Sequence, residues 1–121
     1  MTGMAGKSVA LLAALLIAGT ALAETMDEEI DYLLATVAGS DCTFIRNGTR
    51  YPAEQARDHL QMKRERGKRY FASADEFIER IASKSSFSGK PYMIQCGDKD
   101  EQTAAEWFTT LLLRHRQQAT D

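Results

Sequence analysis

Histidine, cysteine, long apolar runs and excess basic charge are all scarce in this chain, and each shortage closes off a class of function. The two histidines, His59 and His115, form no His-x-x-x-His or Glu-x-x-His pair, and the two cysteines form no Cys-x-x-Cys. No motif for a structural or catalytic zinc site is therefore present, and neither a metal nor a cofactor is expected. No Gly-x-Ser-x-Gly elbow occurs to present a serine nucleophile. Lys and Arg number 15 against 17 Asp and Glu, a net charge of −2, which lacks the basic excess that nucleic acid selects. Ser88-Gly89-Lys90-Pro91 sets a lysine beside a glycine. Even so, Lys84 stands where a phosphate loop needs its first glycine, and Pro91 where it needs Ser or Thr. The expected order of strand and helix around it is also reversed, so nucleotide binding is excluded. There is no internal repeat and no linker.

The one long apolar run is Val9 to Ile17, behind Lys7 and ahead of Ala21-Leu22-Ala23. A basic start, a short apolar core and a small-x-small site make residues 1–23 a secretory signal peptide. The run is short of the roughly 20 residues a spanning helix needs, and Gly19 and Thr20 interrupt it. No cysteine follows the cleavage site, which excludes a lipid-anchored lipoprotein. The expectation is export to the periplasm, cleavage after Ala23, and a single small domain over 24–121 without a transmembrane anchor. Loss of Lys7 takes Lys+Arg from 15 to 14 and the net charge from −2 to −3.

An even number of cysteines in an oxidising compartment reads as one disulfide, Cys42–Cys96. The alternative is two buried free thiols. Cys42 opens one expected strand and Cys96 closes another, so a bridge requires the two to run antiparallel. Closing that separation stabilises the fold by about 4 kcal/mol in the chain-entropy model.

Hydrophobic periodicity supplies the elements. Ile30, Leu33, Leu34 and Val37 follow helical spacing over Asp27 to Val37, behind the acidic Asp27, Glu28 and Glu29. A strand follows over Thr43–Arg46, ended by the turn dipeptide Asn47-Gly48. Pro52 suits the first position of a second helix running to about Arg66, with Gly67 ending it. Ser73 to Glu76 spells a capping box ahead of a third helix to Lys84 that buries Phe77, Ile78, Ile81 and Ala82. Residues 85–91 connect to the strand Tyr92–Cys96, and a last helix spans Thr103 to Gln117 with Trp107, Phe108, Leu111 and Leu112 as its core. The fold class is α+β, four helices around a two-stranded antiparallel sheet in the order α-β-α-α-β-α.

Phe44 to Gly48, His59-Leu60, and the stretch from Ala74–Ile78 through Ser88–Tyr92 together resemble the YfeK-like family of small exported bacterial proteins, a domain of unknown function. The resemblance spans nearly all of the exported chain, in order and with compatible spacing. It implies a periplasmic address in a Gram-negative bacterium and supplies no activity. The cysteine pair stands outside it, which makes the expected disulfide a local addition and not the functional centre.

The residues singled out for binding are Arg46, Asn47, His59, Ser88, Gly89, Lys90 and Tyr92, with no catalytic residue assigned. They suit a non-enzymatic module of the cell envelope that binds a periplasmic protein or peptide through the Ser86–Tyr92 connector and the adjoining turn. An inhibitor or immunity-type protein is a variant of that reading. One alternative is a small hydrolase pairing His59 with a connector serine. Another is an envelope protein that meets anionic surfaces through the basic run from Lys63 to Arg69.

Overall fold

The computed structural model describes residues 23–120, so the expected leader, except Ala23, lies outside the described residues. Helix α1 is Met26–Ala38, opened by a capping box in which Thr25 Oγ1 accepts the Glu28 amide and the Glu28 carboxylate accepts the Thr25 amide. Strands β1, Cys42–Arg46, and β2, Thr49–Pro52, make a hairpin across Asn47-Gly48. Both turn residues have positive φ, 52° and 79°, which is what a two-residue turn matched to the strand twist demands. Helix α2, Ala53–Arg66, follows at once, with Pro52 as its cap and not its first residue.

After a 3-10 turn at Lys68–Tyr70 comes α3, Ala74–Phe77, which continues as a π-helical turn, Ile78–Ala82. The expected uniform helix to Lys84 is thus a short α turn followed by a wider one. Its capping box is also shifted. Ser73 Oγ accepts the Glu76 amide as expected, but the Glu76 carboxylate takes the Ala72 amide instead of that of Ser73. Strand β3 is Met93–Cys96, β4 is Gln102–Thr103, and α4, Ala104–Thr120, closes the described chain.

The sheet is α+β in setting and antiparallel throughout, with order β2-β1-β3-β4. The expected central pair is present, flanked by two short strands the sequence reading did not include. Thr49–Pro52 ends on a proline and Gln102–Thr103 is two residues long, so neither carries an apolar alternation to read. Cys42 stands opposite Cys96 with Cα atoms 3.9 Å apart, and the two are joined by the expected disulfide.

Strand alternation sends Cys42 and Phe44 inward together with Ile94 and leaves Thr43 and Ile45 on the outer face. The core joins these to Leu33 and Val37 of α1, Leu60 of α2, Phe77 of α3, and Phe108 and Leu112 of α4. Trp107 and Leu111 pack at its margin. Two arginines lock helices together. Arg64, 8% exposed, donates to Asp31 at 2.7 Å and Asp27 at 3.1 Å, tying α2 to α1. Arg116 of α4 donates to Glu29 of α1 and Asp75 of α3.

A cationic cleft at the end of the sheet

Helix α2 has two working faces. Ala56, Leu60 and Arg64, four residues apart, turn inward. His59, Met62, Lys63 and Arg66 repeat at i, i+3, i+4 and i+7, and this second stripe forms one wall of a cleft of about 580 Å³. Gly67, Tyr70, Arg80 and Ile81 make the facing side, and Ser85, Ser86 and Phe87 of the connector overhang it. A Cβ on Gly67 would lie 2.7 Å from Ile81 Cδ1, so this glycine lets the end of α2 seat against the π turn.

Arg46 and Tyr92 form the floor. Arg46 is the last residue of β1, two beyond the inward Phe44, so its side chain leaves the core at the end of the sheet. Its Nη2 donates to Tyr51 Oη at 3.0 Å, and its guanidinium lies 4.8 Å from that ring. The Tyr92 ring is 1% exposed and tilts against Phe44, while its hydroxyl meets the cleft. Lys63 Nζ donates to Tyr92 Oη at 2.9 Å and to the Lys84 carbonyl at 3.0 Å. Because Tyr92 accepts from Lys63, its own proton is available to His59 Nε2, 3.2 Å away. Arg46 Nη1 lies nearly equidistant from the two ring nitrogens of His59, 3.4 Å from Nε2 and 3.5 Å from Nδ1, a close contact shared by both.

This floor concentrates positive charge. Among the described residues Arg46, Lys63 and Arg66 have no ion pair, and Arg80 alone of the lining cations meets a carboxylate, Glu76 at 3.1 Å. Burial, reinforced by Arg46, pushes the Lys63 amine down to about 8. Burial, then Arg46 and Lys63, lowers His59 as well, which favours the neutral imidazole. Burial raises the Tyr92 phenol against the opposing influence of Arg46.

The connector is held as a shaped loop. Ser85 Oγ accepts the Phe87 and Ser88 amides and the Asn47 side-chain amide, and Ser88 Oγ donates to Asn47 Oδ1. The hairpin turn thereby clamps the connector. Gly89, with φ of 74°, completes the loop, and the Ser85 amide donates to the Lys90 carbonyl. Phe87 stands at the tip, 98% exposed.

Of the binding residues expected from sequence, Arg46, His59 and Tyr92 meet in the cleft, and Asn47 and Ser88 form the clamp beside it. Gly89 and Lys90 do not line the cleft. His59 has Arg46 and Tyr92 as neighbours, and the hydroxyl of Ser85 serves the connector and Asn47, so among the described residues no connector serine is hydrogen-bonded to His59. The basic run from Lys63 to Arg69 is not one surface. Lys63 and Arg66 enter the cleft, Arg64 turns to α1, Lys68 pairs with Glu65, and Arg69 lies over Tyr70. Lys63 and Arg66, read from sequence only as part of the basic run, and Arg80, not singled out there, complete the cationic set of the cleft. The i, i+3, i+4, i+7 recurrence of His59, Met62, Lys63 and Arg66 was the available signal for two of them.

The model of a family of unknown function, DUF5329, matches residues 24–116. The chain belongs to the DUF5329 family. It is also similar to the uncharacterized protein YfeK of Salmonella typhimurium, 40% identical over 60 residues, and this alignment spans half of each chain. No solved structure matches. The family places no activity on the cleft. Among the described residues no helix is long and apolar enough to cross a membrane, and no group of three or more His, Cys, Asp and Glu is placed to hold a metal ion.

Proposed function

We propose that this DUF5329 protein is a non-enzymatic binding module of the periplasm whose cleft takes an organic anion with an apolar body. The observation that carries the reading is a coincidence of charge and surface. The cleft holds three cations without ion pairs among the described residues. It also holds Met62, Tyr70 and Phe87, three of the four large hydrophobic residues exposed among the described residues. The partly buried Arg46 and Lys63, which have no carboxylate partner, and the exposed Arg66 favour an incoming anion, and exposed aromatics offer the apolar contact such a ligand needs. The acidic end of an envelope peptide or glycopeptide has this character, so the partner is a peptide or protein of the periplasm. The signal peptide expected over residues 1–23 and the disulfide support that compartment.

Calorimetric titration of the oxidised 24–121 domain with benzoate and with benzamide tests the reading, since the two share a shape and differ in charge. Benzoate binds, benzamide binds at least tenfold more weakly, and Arg46→Gln removes the difference. Equal binding of both compounds would sink the proposal.

A further inference from the structure

We infer that the floor of the cleft is a subsite for the phosphate group of a small monoester, with Arg46 and Lys63 carrying its charge and the ligand's ring directed toward Tyr70 and Phe87. This rests on the anion-binding reading above, and assigns the anion to a small phosphate monoester in place of the acidic end of a peptide. The first argument is charge count. Arg46 from β1 and Lys63 from α2 approach one phenol-imidazole pair, Tyr92 and His59, and among the described residues no carboxylate lines the cleft. Arg66 and the Glu76-paired Arg80 add positive charge on the walls. A carboxylate brings one negative charge to this setting, whereas a phosphate monoester brings about −1.5 to −2 at pH 7.

The second argument is direction. A carboxylate is matched best by the coplanar fork of one arginine. Here the donors come from two elements, a guanidinium at the end of a strand and an ammonium from a helix, with Arg66 three residues further along the same helix. Such a divergent set suits oxygens spread over a tetrahedron.

The third argument is preorganisation. Tyr51 fixes the Arg46 guanidinium, and the Lys84 carbonyl and Tyr92 hydroxyl fix the Lys63 ammonium. Lys63 still has one N–H to give, and Arg46 several. Groups held in place before the ligand arrives lose little freedom on binding. Phe87 on its clamped loop and Tyr70 across the cleft then supply ring faces for the rest of the molecule.

Phenyl phosphate, benzoate and inorganic phosphate, titrated into the oxidised domain at pH 7 and followed by amide NMR shifts, test the assignment. Phenyl phosphate is expected to bind at least tenfold more tightly than benzoate. Lys63→Met should lower its affinity at least tenfold, while Lys63→Arg should retain most of it. Phe87→Ala should weaken phenyl phosphate severalfold and leave inorganic phosphate unchanged. Lys99→Met, outside the cleft, serves as the control for general charge. Benzoate binding as tightly as phenyl phosphate would overturn the phosphate assignment and leave the anion reading standing. Failure of all three anions to bind would overturn both. Thermal melts of each variant, matched to the parent, establish that a lost affinity is not a lost fold.

Discussion

Lys63 is the residue at which binding and stability pull in opposite directions. Its amine donates to two uncharged oxygens, but burial, and then the charge of Arg46, bring it from an ordinary 10.5 to about 8. Between those two values the unfolded chain holds the proton and the folded chain has released it. Stability therefore rises with pH across that window and is lowest where the amine is charged in both states. For a half-exposed group, solvent screening limits the gain to about 1 kcal/mol. Urea unfolding at pH 7 and pH 10 should show this increment in the parent and not in Lys63→Met. An identical pH response in the two proteins would contradict it. A cost of this kind is what a site that keeps cations for a ligand is expected to carry.

At the scale of elements, the β1–β2 turn does two things that sequence shows only in part. Asn47-Gly48 was legible as a turn because both residues tolerate positive φ. The clamp was not legible, because the bonds from Asn47 to Ser85 and Ser88 join segments some 40 positions apart. Asn47→Gly separates the two roles. Glycine accepts the turn geometry and abolishes the clamp, so global stability should change by less than about 1 kcal/mol. Amide hydrogen exchange over residues 85–90 should nonetheless quicken markedly. Unchanged exchange there would show that the connector holds itself without the turn.

Helix α2 shows the complementary limit. Its inward stripe could be read because Ala56 and Leu60 are apolar. Its second stripe is charged, and a charged stripe at helical spacing is ordinarily a solvated face. Only the connector and the π turn, packed alongside, make a wall of it. The π turn itself was outside the reach of periodicity, since Phe77, Ile78, Ile81 and Ala82 are buried in either helical form.

For the whole molecule, the α+β class, the four helices and the antiparallel central pair followed from apolar spacing and from one geometric requirement. Cysteines at the start of one strand and the end of another can bridge only if the strands oppose. The edge strands were hidden by their brevity and by Pro52, since pairing makes them strands and their own side chains do not. The bridge and the cleft lie at opposite ends of β1, with Cys42 at one and Arg46 at the other. Replacing both cysteines by serine should cost about 2–4 kcal/mol in urea unfolding. Under native conditions it should leave the affinity for an anionic ligand within about twofold, because Arg46, His59, Lys63 and Tyr92 touch neither sulfur. A large loss of affinity in a folded variant would place the disulfide in the site.

The central claim is that an organic anion occupies the floor between Arg46, His59, Lys63 and Tyr92. Side-chain NMR of the His59 ring during a benzoate titration tests this most directly. Burial and the two neighbouring cations hold the imidazole below its ordinary 6.5, and an anion placed among them must relieve that pressure. The account predicts that the His59 titration midpoint rises as benzoate saturates the protein. A His59 midpoint that stays put while benzoate binds would put the ligand elsewhere on the molecule.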